Sequence, residues 1–278
     1  MSTVLFDENF GLRKFNLLSS LLSIVNDNNE EDAYFVLSKY LLEHFNELDD
    51  ISIYNLSDSC FISRSSIQRF IKHIGYNSFN ELKQNAHSTI HHNKAYIDYA
   101  DRSDFNQHFI TSMNEMLLDV GEMIIKQNLS DFVQQIHNSK QVIILTADIS
   151  SSSAKQFQQG MATIGKIIRL VTDSTSNLNS LKKLTPDDLL ITVSITGNFA
   201  FAILNDIENI FAQKVLITLN HSDKLIAIFD TIFYLSQKFE SYDYITNGLQ
   251  NVYTRHGSEY FFDVLFNLYI QKYVKNNK

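Results

Sequence analysis

Six side chains between Arg64 and Lys72 carry most of the chemistry that can be read from this 278-residue chain. Arg64, Ser65, Ser66, Gln68, Arg69 and Lys72 all offer hydrogen-bond donors, and no carboxylate interrupts them. Such a set suits recognition rather than bond breaking: guanidinium, ammonium and hydroxyl groups meet phosphate oxygens. A Gln can pair bidentately with adenine and an Arg with guanine. The spacing says what must hold them. Ile67, Phe70, Ile71 and Ile74 recur at i, i+3, i+4 and i+7, which buries one stripe of a helix and turns the six donors outward. Ser63 is placed to cap that helix and Gly75 to end it. Upstream, Ile53, Leu56 and Cys60 mark the inner face of a shorter helix, with a break at Phe61 and Ile62. Two short helices joined tightly, the second polar outside, are the grammar of a helix-turn-helix reader of double-stranded DNA. Cap, stripe and terminal glycine also describe any short surface helix, so a second signal has to decide.

Charge supplies it. From Cys60 to Ala100 the chain has Arg64, Arg69, Lys72, Lys83 and Lys94 against only Glu81 and Asp98, whereas the whole chain carries a net charge of -8. A protein this acidic can approach a polyanion only through a local basic patch, which gives counterion release and orientation.

Other candidate chemistry is thinner. Cys60 is the single cysteine, so no internal disulfide can form, and its inner-stripe position suits a small core residue better than a nucleophile. His87 and His91 stand four apart, a spacing that can bind a metal on a helix face, with His92 adjacent. No Cys or acidic cluster accompanies them, and a solvated linker helix is the alternative. Glu208, His221, His256 and Glu259 are available as acids or bases, yet their spacing nominates none. No catalytic residue, metal ligand set or cofactor is expected. No secretion signal is visible and no apolar run approaches the ~18 residues of a membrane span. A soluble cytoplasmic protein without a membrane partner is the consistent reading.

The pattern divides the chain into a helical reader at 1–84, a linker at 85–104 and an α/β domain at 105–278. Helices are expected at Leu12–Val25 and Asp32–Phe45 before the reading unit. No strand alternation appears before about Lys140. Beyond it, strands at 141–145, 166–171, 189–194, 214–219 and 231–235 alternate with helices at 152–164, 178–183, 200–213 and 223–229. Such alternation predicts a five-stranded parallel sheet flanked by helices, with ligands at the carboxyl ends of the strands. The apolar stretch Tyr260–Tyr273, with Phe261, Phe262, Leu265, Leu268 and Tyr269, is a candidate subunit contact or an ordinary core helix.

Ser63-Arg-Ser-Ser-Ile-Gln-Arg-Phe70, then Lys72, Gly75-Tyr76 and Ser78-Phe79-Asn80-Glu81-Leu82-Lys83, resembles the signature of RpiR-type bacterial regulators. In that family a Ser-x-x-Thr-[Val/Ile]-x-Arg-Phe recognition helix is followed by Gly-Phe and Phe-x-x-Leu-Lys. Ser66 replaces the usual Thr and Tyr76 the usual Phe. The second half resembles the family's partner, the sugar isomerase (SIS) domain, through Ala154–Gln159 leading to Ile164-Gly165, Ser194-Ile-Thr-Gly-Asn198 and Val215–Thr218. Arg255 and the later Asp263-Val264-Leu265 fit its closing elements.

The resemblance implies a regulator that binds a palindromic operator as a homodimer or homotetramer. It also implies a sugar-phosphate-like metabolite held by Ser150, Ser151, Ser194, Thr196, Gly197 and Asn198. The loops depart from the family's Gly-x-Gly-x-Ser and Ser-x-Ser-Gly-x-Thr patterns. Thr146 and Asp148 stand at the two glycines and Phe199 at the last Thr. A carboxylate beside a phosphate is repelled, and lost glycines limit how closely backbone approaches an anion. A regulator whose SIS domain serves only oligomerisation or a protein partner is therefore the alternative reading, ahead of a sugar-phosphate isomerase or lyase.

Overall fold

The computed structural model describes residues 17–27, 29–86, 101, 103–147, 150–172, 178–237 and 252–275. The chain divides into two units, Met1–Asp98 and Tyr99–Lys278. In the first, helices α1 (Leu17–Asp27), α2 (Ala33–Glu43), α3 (Ile53–Cys60) and α4 (Arg64–His73) are followed by α5, described over 79–86. A short 3-10 turn, Phe45–Asp50, links α2 to α3.

The starts of α2 to α5 have local causes. Asp32 accepts from Tyr34 N at 2.7 Å, Ser52 from Asn55 N at 3.0 Å and Ser63 from Ser66 N at 3.3 Å. Before α5, Ser78 Oγ accepts from Glu81 N at 3.1 Å, and Glu81 reaches back to the Asn77 N–H at 2.6 Å. This is a capping box stretched by one residue. Gly75, at φ +94, closes α4: its N–H reaches Lys72 O and that of Tyr76 reaches Ile71 O, both at 3.0 Å. Ile67, Phe70 and Ile71 are buried with Leu37, Leu41, Leu56 and Tyr76 in one core. Each such burial contributes about 1.5–3 kcal/mol. Burial, and secondarily Glu81, pushes the Tyr76 phenol pKa up.

The second unit opens with α6 (Phe105–Lys126) and α7 (Leu129–Asn138). Strands β1 (Val142–Thr146), β2 (Arg169–Thr172), β3 (Leu189–Val193), β4 (Gln213–Thr218) and β5 (Thr231–Tyr234) form one parallel sheet in the order β2-β1-β3-β4-β5. Helices α8 (Ser151–Thr163), α9 (Asn198–Ile207) and α10 (Asp223–Ile226) and a 3-10 turn, Leu178–Lys183, fall between them. The last helix, α11 (Ser258–Tyr269), runs between π-helical turns at Tyr253–Gly257 and Ile270–Val274. β1 and β3 are buried along their whole length, as in a sheet covered on both faces.

Several boundaries differ from the sequence pattern. The first helix is seen only from Leu17, because residues 1–16 lie outside those described, and it runs on to Asp27. β2 begins at Arg169 rather than Lys166. The Lys166 N–H bonds Met161 O in the turn that ends α8, and its ammonium donates to His137 O and Ser139 O at the end of α7. That burial lowers the Lys166 pKa. α9 stops at Ile207 rather than Gln213, since Lys214 Nζ takes the Ile210 carbonyl and Gln213 N bonds Asp188 O to start β4. α10 is only one turn. In Tyr260–Tyr273 the side chains of Phe261, Phe262, Leu265 and Tyr269 are buried in the sheet's core, so the named apolar residues of this segment pack internally. His87, His91, His92, Lys94 and Asp148 lie outside the described residues.

Candidate functional site

Of the six donors, Arg64, Ser65, Gln68, Arg69 and Lys72 are exposed on α4 and Ser66 is half-buried. Ser63 Oγ lies 2.9 Å from Ser65 Oγ and 3.0 Å from Ser66 Oγ, so the three hydroxyls form one cluster at the helix start. Ser66 Oγ also accepts from Arg69 Nη2 at 3.1 Å. Arg69 is thereby oriented along the helix surface, and Ser66 positions it rather than presenting its own hydroxyl fully. The Arg64 guanidinium sits 4.9 Å from the centre of the Tyr54 ring, an aromatic support on α3 that the sequence pattern did not single out. Lys83 donates to Asp49 O at 2.9 Å and lies over Phe79, which makes it part of the scaffold as well as of the basic patch. In the joint between α3 and α4, Phe61 takes φ +56 and is 96% exposed. Cys60 is half-buried against the core, and desolvation pushes its thiol pKa up, as suits an inert packing residue.

In the sheet the strand order reverses between β1 and β3, and the loops after these strands border the crevice that parallel sheets use for ligands. The predicted effector residues fall in these two loops, Ser150 and Ser151 after β1 and Ser194, Thr196, Gly197 and Asn198 after β3. Their polar atoms are largely turned to the loops themselves. Ser194 Oγ accepts from Ala200 N at 3.0 Å and so caps α9 from the loop that precedes it. Thr196 Oγ1 accepts from Asn198 N at 3.4 Å, and Thr196 O accepts from Asn220 Nδ2 at 3.0 Å. Gly197, at φ +88, is needed where it stands, since an added Cβ would lie 2.6 Å from Asn220 Nδ2. Ser150 occupies the N-cap position of α8 without a side-chain capping bond, and Ser151 is buried. Asn198 is exposed.

Two further hydroxyls knit the carboxyl ends together. Thr146 Oγ1 donates to Val193 O at 3.1 Å across the point where strand order reverses, and Thr218 Oγ1 donates to Ser194 O at 2.6 Å. Phe199, at the position of the family's last hydroxyl, is buried. His221 stacks on Tyr234 with ring centres 4.0 Å apart, just beyond β4. Sequence pattern marked Thr218 only as the end of a strand run and His221 only as one of four acids or bases with no nominating spacing, and it did not mark Asn220, because bonds between neighbouring loops carry no periodic signal. Two open cavities, of about 800 and 590 Å³, lie instead at the amino ends of the strands, beside Pro186 and Gln213. Among the described residues no group of His, Cys, Asp and Glu could hold a metal ion, and no helix is long and apolar enough to cross a membrane.

Comparison with known proteins bears on both units. A family model described as the helix-turn-helix domain of the rpiR family matches residues 17–91. The N-terminal unit is an rpiR-family helix-turn-helix domain. The curated relative YfhH of Escherichia coli K12, an uncharacterised HTH-type transcriptional regulator, is 24% identical over 176 residues, or 58% of this chain. The match spans 60% of that relative's length. The NanR protein of Vibrio vulnificus, solved in complex with ManNAc-6P, superposes over 94% of both chains with a TM-score of 0.51 at 18% identity. At that identity the likeness speaks for the fold. The sugar isomerase domain of an RpiR transcription factor from Sphaerobacter thermophilus matches 59% of this chain and 89% of its own, at 16% identity and TM-score 0.45. After its rpiR-family domain the chain carries a five-stranded parallel sheet flanked by helices.

Proposed function

We propose that the chain is a cytoplasmic transcriptional regulator of the RpiR type, not an enzyme, that binds double-stranded DNA through the outward face of α4. Its SIS-like unit joins two or more copies and responds to a small metabolite. The observation that carries this reading is the carboxylate-free face of Arg64, Gln68, Arg69 and Lys72 on the capped second helix of an rpiR-family domain. Arg64, Ser65 and Gln68, near the helix start, are the residues to enter the major groove, as recognition helices do. Lys72 and Arg69 serve the phosphates.

The metabolite is a sugar phosphate or a related anion, in keeping with the ManNAc-6P bound by NanR. Ser150, Ser151, Ser194, Thr196, Gly197 and Asn198 surround its place at the carboxyl ends of β1 and β3. A second reading, a scaffold without a sugar-phosphate ligand, is favoured by one set of observations. Ser194 and Thr196 hydroxyls are engaged within their own loop, and Phe199 is buried. A thermal-shift screen of the full chain against ManNAc-6P, other phosphorylated sugars and free sugars separates the two. A ligand that binds only the folded state raises the midpoint with its concentration. A phosphosugar that does so, and that alters DNA affinity, supports the sensor. Silence from every sugar with DNA binding intact supports the scaffold.

A further inference from the structure

α6 is apolar on two sides. Ser112, Met116, Val120 and Met123 are buried against the sheet's core, with Phe109, Met113 and Ile124 beside them. A second stripe faces outward, with Ile110 53%, Leu117 36%, Leu118 71% and Ile125 83% exposed. Single exposed apolar residues are ordinary, but a stripe of four large ones along a helix marks a surface that is covered in use.

Its spacing states by what. The midpoint of Leu117 and Leu118 is also the midpoint of Ile110 and Ile125, and again of Asn114 and Gly121, which lie on the same side of the helix. The stripe therefore reads the same from either end. In a two-fold contact residue i meets j while j meets i, so such spacing sets each apolar residue opposite another. We propose that α6 packs antiparallel against α6 of a second copy, with Ile110 facing the partner's Ile125 and the Leu117–Leu118 pair on the axis. At Gly121 an added Cβ would stand 3.4 Å from the chain's own Tyr260 hydroxyl, so the contact is carried by the four large apolar residues. An antiparallel pair also sets opposite ends of the two helix dipoles together, whereas a parallel pair sets like ends together. The stripe itself carries no charge, so nothing in it selects a charged partner. Glu115, Glu122 and Lys126 lie off it, the last two paired at 3.6 Å. This surface rests on the proposed dimeric state, and it replaces Tyr260–Tyr273, whose Phe261, Phe262, Leu265 and Tyr269 are buried in the core with Leu268 packed against it.

The test uses the full chain with Cys60→Ser, carrying either Ile110→Cys or Ile125→Cys. Along the helix these positions are about 22 Å apart, too far for a disulfide unless the partner is reversed. Mild oxidation of the co-expressed pair should give a covalent dimer, and neither variant alone should. Linkage of each variant to itself would mean a parallel contact and overturn the proposal. A dimer by sedimentation that yields no mixed disulfide would place the interface elsewhere. A monomer at all concentrations would instead remove the dimeric reading on which the proposal stands. Leu118→Glu should keep its helical circular dichroism and weaken dimerisation by tenfold or more.

Discussion

Ser63 and Ser194 both cap a helix from the residue chain that precedes it, yet what surrounds them differs. At α4 the cap leaves Arg64, Gln68, Arg69 and Lys72 on the solvent side. At α9 the Ser194 hydroxyl accepts from Ala200 N, Thr218 bonds the Ser194 carbonyl, and Phe199 turns inward. The first arrangement holds the loop and presents long donors to a partner. The second spends its short polar groups on the loop. Hydroxyl-rich sequence can therefore mean a surface poised for a ligand or a joint that holds itself closed, and only the neighbours decide.

The sharpest way to break this contrast is to disturb the joint. Gly197→Ala forces a side chain into φ +88 and against Asn220, and should cost at least about 1–3 kcal/mol from the backbone alone. Urea unfolding of the full chain should show the loss in the transition of the second unit, and an unchanged curve would mean that the loop is not knitted as described. Next comes the reader: Gln68→Ala should cost about 1–3 kcal/mol of DNA affinity and relax preference at one base pair. A uniform loss over all sequences would count against base contact by Gln68. Ser194→Ala should cost about 1 kcal/mol of stability through the lost cap. Were Ser194 a ligand contact instead, the thermal midpoint would hold and only a metabolite's effect on DNA binding would weaken. The smallest effect belongs to Lys72→Ala, which should weaken all DNA sequences alike and flatten the salt slope by about one unit. Unchanged binding would remove Lys72 from the interface.

Much of this was legible in sequence because it follows local rules. The i, i+3, i+4, i+7 stripe of α4, its Ser63 cap and the Gly75 stop are each set within a few residues. The strands of the sheet announced themselves as short apolar runs between helical periods. What escaped depends on partners far away in the chain. The bond from Thr146 to Val193 and that from Thr218 to Ser194 join residues from different strands. Lys166 has the sequence pattern of a strand start, yet its ammonium is bound at the end of α7. Tyr260–Tyr273 offered an apolar face whose destination, core or partner, periodicity does not encode, and the second stripe of α6 was hidden among residues that read simply as helix.

The proposed regulation depends on α4 reading DNA. Selection of the full chain against a pool of randomised double-stranded DNA, run beside Gln68→Ala and Arg64→Ala, tests this most directly. The wild-type chain should enrich a palindromic site, and each variant should lose or alter one position in both half-sites. Enrichment of no sequence at all, or of the same site with undiminished affinity by both variants, would contradict it.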